Sequence, residues 1–437
     1  MVQLSFPVWL RAAHFLNFLF LSLLVRSGIE ILSAHPKLYW NSHSRPGSEW
    51  LKFTRKTLPS KELWTSKDEE ESFSPLIALP GRKNLGLGRH WHFFALTGWI
   101  VVGVLYLLLL LITPEWQRLV PTSWDLVPQA WQTLLTYLSF HLPPPGNPYN
   151  ALQQLSYAGV VFLLTPLSIA TGAAMSPSLG ASFPRFPRLF GGHQAARSLH
   201  FICLIAFTIF TVVHVGMVVA HGFGEEMAKM ALGSVGADRT LAIVVTVGAI
   251  LFVVAVHIVA SVASLRSPRQ VQKVLDGMFK PLQRAALHGL VSRQKRRPEE
   301  RSLLFRVNGR PPVDEEYNRM ARDEFAGWRL EVSGLVEEPL RLSLSDLRDM
   351  EQRTQVTEHC CIQGWTAIGE WTGVPLKAVL DRCKPRAQAR YLVFRAYDEK
   401  SVEHGPEAPG KYYGTLDLEL ARQPQTILAF AMNGHPL

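Results

Sequence analysis

Residues 200–214 read His-Phe-Ile-Cys-Leu-Ile-Ala-Phe-Thr-Ile-Phe-Thr-Val-Val-His, an uncharged apolar run with a histidine at each end. In an α-helix, 14 residues make just under four turns, so His200 and His214 face nearly the same way, about 21 Å apart along the axis. A titratable residue inside a membrane span is costly, which makes it a functional candidate. The run therefore predicts a membrane helix that presents two ligand side chains near opposite faces of the bilayer.

Four more stretches of the N-terminal half are long and apolar enough to cross a bilayer, which takes about 20 residues each. We predict five spans, at residues 8–32, 92–112, 155–175, 200–220 and 240–265. Core helices of a soluble protein are the alternative, but five such lengths in one half of a chain disfavour it. The sequence therefore predicts an all-α transmembrane bundle over residues 1–265.

Two further histidines complete a pattern of four. His14 lies at the start of the first span and His92 at the start of the second. Spans two and four cross in the same direction, so His92 and His200 lie near one membrane face, while His14 and His214 lie near the other. Two imidazoles fill both axial positions of a haem iron, which suits electron transfer. We predict two b-type haems, on the pairs His92–His200 and His14–His214. Hydrogen-bonded packing histidines are the alternative.

Charge and cysteine content exclude other classes of protein. The 437 residues have a formal net charge of +10, but many Lys and Arg flank the apolar spans, as is typical of membrane proteins. The predicted partner is therefore the lipid bilayer and not nucleic acid. The four cysteines include no Cys-x-x-Cys-His motif, so covalently attached haem is not indicated. His90 and His257 are interpreted as structural histidines.

Residues 266–437 have the charge density of a soluble protein. Nine Lys or Arg in residues 266–297 form a basic juxtamembrane stretch, and a linker rich in Arg and Pro continues to about residue 325. Beyond it we predict strands at 329–336, 391–396 and 426–432. A short helix begins at Ser343, which can cap it, and 373–383 is predicted to form another helix. The sequence thus predicts a mixed α+β domain over residues 326–437.

Adjacent thiols stand at Cys360 and Cys361 in this domain. Thiolates bind soft metals. Two neighbouring side chains cannot easily point into one site, so one of the two is the candidate ligand. A cysteine that only packs is the alternative.

Motifs of the membrane half resemble a known family. They are Arg11-Ala-Ala-His14, Arg89-His-Trp-His-Phe-Phe94, Ala196-Arg-Ser-Leu-His200 with His214, Tyr149-Asn-Ala-Leu-Gln-Gln154 and Thr171-Gly172. Together they are similar to motifs of the bacterial di-haem cytochrome b subunits of formate dehydrogenase, nickel hydrogenase and thiosulfate reductase. The resemblance covers about residues 5–265. It implies a four-helix core with two haems, electron exchange with quinone and a place in the bacterial cytoplasmic membrane. The long first loop and the fifth span depart from the shortest members of that family.

Motifs of the C-terminal half resemble a second family. Cys361-Ile-Gln-Gly-Trp365, Trp371-Thr-Gly-Val-Pro-Leu376 and Ala429-Phe-Ala-Met-Asn-Gly434 are similar to the molybdopterin domain of the sulfite oxidase family, which includes methionine sulfoxide reductases with the same cofactor. This resemblance implies that Cys361 is the catalytic molybdenum ligand, with Cys360 as the alternative. It also suggests Asn308 for the pterin pocket.

The end of the sequence departs from the second family. Asn433-Gly434 after an apolar strand is a hairpin signal, but the sequence indicates no returning strand in the residues that follow. The family continues here with a strand and a pterin-binding loop. We therefore expect an incomplete domain that holds its cofactor weakly.

The two resemblances together predict a membrane-bound respiratory oxidoreductase. Its Mo–pterin site would act on a small oxyanion or a sulfoxide-type substrate, and two b haems would connect that site to the quinone pool. The alternative is a cytochrome b electron-transfer subunit whose C-terminal domain is a non-catalytic docking module.

The charge distribution predicts the side of the C-terminal domain. With five spans, this domain shares a membrane face with residues 33–91, 175–197 and 266–297, which carry ten, three and nine Lys or Arg. The opposite loops, 113–150 and 221–239, carry one and two. The positive-inside rule places the first face in the cytoplasm. The cytochrome resemblance implies a cytoplasmic N-terminus, and relatives of the molybdenum domain commonly work outside the cytoplasm, so these two points conflict with the rule. We favour a cytoplasmic C-terminal domain.

Overall fold

The computed structural model describes residues 6–58, 64–144, 146, 148–234, 236–287, 289–312, 314–399 and 410–437. In the N-terminal part the helices are α1 (Val8–Ala34), α2 (Leu85–Ile112), α3 (Leu126–Leu138), α4 (Ala151–Gly159), α5 (Thr165–Ala174), α6 (Pro177–Ser182), α7 (Arg185–Arg188), α8 (His193–Ala220), α9 (Phe223–Met227), α10 (Arg239–Arg266) and α11 (Pro268–Leu287). Five spans cross the membrane: α1, α2, α4 with α5, α8, and α10. The predicted five-span bundle is confirmed.

Two spans begin earlier than the apolar pattern predicts. Helices α2 and α8 begin at Leu85 and His193, seven residues before His92 and His200. Both helices extend past the apolar run because their polar first turns have protein partners. His90 Nε2 lies 2.9 Å from a carboxylate oxygen of Asp276, and Arg197 donates hydrogen bonds to two backbone carbonyls. The histidines of interest therefore lie about two turns inside their helices.

The third span is α4 and α5 joined by a π-helical turn at Val160–Leu164. The turn stands just before Pro166, which has no backbone N–H to donate. A local change of helical pitch is a common way to accommodate such a residue.

Helices α1 and α2 pack against each other along the bundle. A β-carbon at Gly98 would lie 2.3 Å from the ring of Phe20, so a larger residue there would have to displace that ring. Leu23, Ala95 and Ala260 share one buried cluster, which joins α10 to this pair. The many exposed Leu, Ile and Val side chains of the spans form the surface expected to face lipid.

The basic stretch that follows the last span contains α11, a helix of 20 residues. Leu275 and Phe279 are buried against Leu87 at the start of α2. They are four residues apart and share one helix face. This helical spacing of apolar residues was not recognised in the sequence because basic residues are so frequent in the same stretch.

The C-terminal part is a small α+β unit. Its helices are α12 (Glu315–Arg322), α13 (Leu344–Arg348), α14 (Leu376–Cys383) and α15 (Leu418–Ala421), and its strands are β3 (Leu330–Val332), β4 (Leu340–Leu342), β5 (Arg353–Cys360), β6 (Thr366–Pro375), β7 (Tyr391–Glu399), β8 (Lys411–Asp417), β9 (Ile427–Met432) and β10 (His435–Pro436). Strands β1 (Lys37–Leu38) and β2 (Leu51–Lys52) pair within the first loop, residues 35–84. The largest sheet has the order β10-β9-β6-β5 and is antiparallel throughout.

The predicted elements of this unit were only partly correct. The short helix is capped by Ser343, whose hydroxyl accepts from the Asp346 N–H at 3.1 Å. The other predicted helix begins only at Leu376, because the residues before it complete β6. Strand β6 contains a bulge at Gly373, where a β-carbon would lie 2.1 Å from the carbonyl oxygen of Leu428. The bulge and the glycines interrupt the alternation of apolar and polar residues by which a strand is recognised in a sequence.

The C-terminal hairpin corrects a second expectation. Asn433 and Gly434 have φ values of 52° and 82°, which is the backbone of a tight primed turn. Residues His435–Pro436 return as β10 and pair with β9. The expectation that no returning strand follows was therefore wrong.

Candidate functional site

Four histidines from three spans form two pairs, one near each end of the bundle. The rings of His14 (α1) and His214 (α8) have centroids 6.2 Å apart. The rings of His92 (α2) and His200 (α8) have centroids 6.5 Å apart. If each nitrogen lies about 2 Å from a shared metal, two axial imidazoles place their centroids about 6 Å apart. Both pairs thus have the separation that an iron between the two rings needs.

Hydrogen bonds at the outer ring nitrogens set the tautomers of one pair. His200 Nδ1 lies 3.0 Å from the carbonyl oxygen of Ser168, which can only accept, so this nitrogen carries the proton. His92 Nδ1 lies 3.1 Å from Ser27 Oγ, and the hydroxyl of Ser27 donates to the Leu23 carbonyl. His92 therefore donates to Ser27 in the same way. The Nε2 lone pair of both rings is left for a metal.

The other pair has a related contact. His214 Nδ1 lies 3.4 Å from the hydroxyl of Tyr157, and the ring of Phe210 stacks on His214. The contacts of Ser27, Ser168 and Tyr157 were not predicted from the sequence. Hydroxyls and carbonyls inside apolar helices have no distinctive spacing, so no sequence signal identified them.

Two glycines lie against the pair at His92 and His200. A β-carbon at Gly172 would lie 3.4 Å from Cε1 of His200, and one at Gly28 would lie 3.7 Å from Cε1 of His92. The donor set and the spacing of the rings fit a haem.

His90 and His257 belong to neither pair. His257 Nδ1 accepts from Arg26 at 2.8 Å, and its Nε2 lies 2.9 Å from Ser22 Oγ. His90 Nε2 lies 2.9 Å from a carboxylate oxygen of Asp276. These contacts join α1 to α10 and α2 to α11.

Cys361 stands in a tight turn directly after β5. Its N–H donates to the Trp365 carbonyl at 3.0 Å, and Gly364 N–H donates to the Cys361 carbonyl at 2.9 Å. The thiol is buried and lies 3.7 Å from Asn308 Oδ1 and 3.5 Å from Gln363 Oε1. Burial raises the pKa of this thiol. A bound metal would offset that effect, since a coordinating thiol is deprotonated.

Cys360 lies in a different environment from Cys361. Burial is the main cause that raises the pKa of the Cys360 thiol, and the Glu358 carboxylate raises it further. Asn308, the other residue proposed for the cofactor pocket, is beside Cys361. The structure thus brings Cys361 and Asn308 together.

The Cys361 turn rests on the first turns of α8. Gln194 Nε2 donates to the Gly364 carbonyl at 2.8 Å. A β-carbon at Gly364 would lie 3.0 Å from Nε of Arg197. Arg197 precedes His200 by three residues, about 4.5 Å along the helix axis. The thiol site is therefore next to the membrane face that carries His92 and His200.

Buried charges hold the first loop against the C-terminal part. Glu69 accepts hydrogen bonds from Lys37 Nζ and Arg306 Nε, each at 2.7 Å, and all three side chains are buried. Ser66 Oγ donates to Asn308 Oδ1 at 2.8 Å, and Gln363 Nε2 donates to Glu70 at 2.7 Å. We call this contact, between the first loop and residues 302–308 and 361–366, the domain seam.

Buried polar atoms without a protein partner also lie at the seam. Among the described residues, Nη1 of Arg306 and both ring nitrogens of His35 have no hydrogen-bond partner. Burial lowers the pKa of His35 well below its usual value, and Arg197, Arg306 and Lys37 lower it further. A buried thiol and unpartnered buried polar atoms at the same seam fit a polar cofactor that contains a soft metal.

Comparisons with known proteins match each half of the chain to a family. The model of the prokaryotic cytochrome b561 family matches residues 5–233, and that of the oxidoreductase molybdopterin binding domain matches residues 317–437. The putative protein-methionine-sulfoxide reductase subunit YedZ1 of Azospira oryzae is 37% identical over 26% of this chain and 38% of its own length.

Two further relatives each match about a quarter of the chain. The catalytic subunit MsrP of the protein-methionine-sulfoxide reductase of Xanthomonas campestris pv. campestris is 31% identical over 25% of this chain and 35% of its own length. A chain of the solved sulfane dehydrogenase SoxCD from Paracoccus pantotrophus is 22% identical over 26% of this chain and 31% of that one, with a TM-score of 0.21. That score is too low to carry an argument about the fold.

The chain spans little more than a third of the length of the curated relatives that it matches. The cytochrome match, in contrast, covers more than half of the chain itself. The chain belongs to the prokaryotic cytochrome b561 family, as a multi-pass membrane protein that also carries an oxidoreductase molybdopterin-binding domain.

Proposed function

We propose that this protein is a membrane-bound, molybdopterin-dependent oxidoreductase that exchanges electrons with quinone through two b haems. His92 with His200 and His14 with His214 would hold the two haem irons. Cys361 would hold the molybdenum, with Asn308 in the pterin pocket. The bound metals would supply the redox chemistry, two-electron at the substrate and one-electron in the bundle.

The observation that carries this proposal is the contact of the Cys361 turn with the first turns of α8. Gln194 and Arg197 contact Gly364 of that turn, and His200 lies one helical turn further along. His214 then lies about 21 Å beyond His200 on the same helix. Helix α8 thus connects the Cys361 turn to one histidine of each pair.

The protein side chains have defined tasks in this proposal. The backbone carbonyl of Ser168 and the hydroxyl of Ser27 would fix the imidazoles of His200 and His92 with Nε2 free. Tyr157 orients His214. The domain seam keeps the thiol site shielded and at a constant distance from α8.

Names of relatives suggest the class of substrate. Both YedZ1 and MsrP are named as parts of a protein-methionine-sulfoxide reductase. We propose a sulfoxide-type substrate or a small oxyanion for the Cys361 site. Quinone would exchange electrons at the membrane face that carries His14 and His214.

We further propose the bacterial cytoplasmic membrane as the location, with the C-terminal domain on the cytoplasmic face. The first loop, the segment between α5 and α8, and α11 lie on the face of that domain and carry most of the basic loop residues. The positive-inside rule supports this orientation.

Haem analysis of the purified full-length protein tests the proposal. We expect about two b haems per chain by pyridine haemochrome. His200→Ala should remove the haem shared with His92, and His214→Ala the haem shared with His14. His257→Ala is the matched control, since that histidine belongs to neither pair, and it should keep both haems. A protein without haem, or retention of both haems in the first two variants, would contradict the assignment.

Metal analysis separates this proposal from a non-catalytic docking role. We expect molybdenum in the full-length protein and its loss in Cys361→Ser. A wild-type protein with two haems but no molybdenum would support the docking alternative.

A further inference from the structure

The helix that follows the last span has three distinct faces. Leu275 and Phe279 are buried against α2. Val274, Met278 and Leu282 recur every four residues beside them, yet they are 62%, 60% and 58% exposed. This second row of apolar side chains on α11 has no partner among the described residues.

A basic face lies on the other side of α11. Arg269, Lys273 and Arg284 are exposed. At about 100° per residue, they lie roughly 120–180° around the helix from Met278. Lys280 lies in the same sector and is bound to Asp276. The unpartnered apolar row and the basic face therefore point in nearly opposite directions.

Contacts along α11 keep it at one membrane face. The helix has 20 residues and a length of about 30 Å. Its buried contacts are confined to the first ten residues of α2 (Leu87, Trp91, Phe93 and Phe94). The segment after it also stays on this side, because Arg293 N–H donates to the Ala181 carbonyl and Arg296 pairs with Glu358. A helix that re-entered the bundle would contact α2 along its length.

We propose that α11 lies in the plane of the membrane surface and binds anionic phospholipid. Val274, Met278 and Leu282 enter the boundary between headgroups and acyl chains, and Arg269, Lys273 and Arg284 reach the phosphate layer. A helix with a strong apolar face and a Lys/Arg-rich polar face typically lies in that boundary. Continuity with α10, which ends at Arg266, places α11 at the correct depth.

The contact of His90 with Asp276 and the burial of Leu275 and Phe279 hold this surface helix against α2. These contacts fix the helix at the base of the span that carries His92. Anionic lipid would thus hold the C-terminal domain over the bundle in addition to the domain seam.

Depth measurements in vesicles test the apolar row. A fluorescent probe is attached to Met278→Cys, or to Lys273→Cys as the matched control, in the full-length protein reconstituted in equimolar phosphatidylcholine and phosphatidylglycerol. Labelled wild type measures the background from native cysteines. We expect doxyl-labelled lipid to quench the probe at 278 and aqueous iodide to quench the probe at 273. Iodide quenching at 278, or protection from both quenchers by a second copy of the chain, would overturn the proposal.

Spin-labelled lipids test the basic face. Wild type should immobilise more phosphatidylglycerol than phosphatidylcholine. Each basic residue near such a surface contributes about fivefold in affinity, so the triple variant R269Q/K273Q/R284Q should lose most of the preference. R310Q/R319Q/R322Q, at exposed positions outside α11, is the control and should keep it. A preference that survives in the α11 variant would refute the assignment.

Discussion

Glu69→Gln tests how firmly the domain seam is closed. The carboxylate of Glu69 is the shared acceptor of two cations, Lys37 and Arg306, at 2.7 Å each, and its side chain is fully buried. Glutamine has the same size and can still accept one hydrogen bond, but it does not neutralise either cation. The variant therefore leaves two buried positive charges without a counter-charge.

The magnitude follows from the burial of the three side chains. Removing one partner of a buried ion pair costs about 3–5 kcal/mol. Because glutamine keeps one hydrogen bond, we expect the lower end of that range. A cost of about 3 kcal/mol shifts the closed-to-open equilibrium of the seam by roughly a hundredfold.

Hydrogen exchange at one amide reports that equilibrium. The N–H of Ser66 donates across the seam to the Val307 carbonyl at 2.8 Å, so it exchanges when the seam opens. We expect Glu69→Gln to accelerate this exchange by roughly a hundredfold. The matched control is Glu331→Gln, which affects the exposed pair Glu331–Arg341 and should cost under about 1 kcal/mol. Unchanged exchange at Ser66, or equal acceleration in both variants, would refute the reasoning.

Three further outcomes are expected. Cys361→Ser should abolish molybdenum-dependent turnover and leave the haem spectrum intact, because the thiol and the histidine pairs are on different elements; full activity in Cys361→Ser with loss in Cys360→Ser would reassign the ligand. Burial lowers the pKa of His35 well below 6.5 in the folded protein. As the pH falls below 6.5, the unfolded chain therefore binds a proton at His35 that the folded protein does not bind. Stability should then fall by up to about 1.4 kcal/mol per pH unit, and thermal unfolding of His35→Gln should show a shallower loss; identical pH profiles would exclude His35 as the cause. Two reporters are fused separately just after residue 300. The green fluorescent protein fusion should fluoresce, and the alkaline phosphatase fusion should be inactive; the reverse pattern would place the C-terminal domain outside the cytoplasm.

The five spans could be predicted because a bilayer demands about 20 apolar residues in a row, a requirement that the sequence displays directly. The partners of the four histidines followed from the direction in which each span crosses. The outer contacts of Ser27 and Ser168 could not be predicted, since they depend on the rotation of one helix against another.

The elements of the C-terminal half were harder to predict for a related reason. Strand β6 is buried at its start and interrupted by glycines, so neither hydrophobic alternation nor charge identified it. Glu69 lies in the acidic run at residues 68–71, and it is buried between two cations. Burial of a charge depends on a partner distant in sequence, and no local pattern reports that partner.

The same ion pairs set the order in which the protein can be assembled. Glu69 and Arg306 are 237 positions apart, and a ribosome adds about 5–20 residues per second. The first loop is therefore synthesised roughly ten to fifty seconds before its buried partner emerges. During that interval, the surface of the loop that later seals the seam is accessible to water, chaperones and proteases. At the proposed haem sites, haem would be able to enter the bundle while the face above His92 and His200 is still uncovered, and closure of the seam would follow.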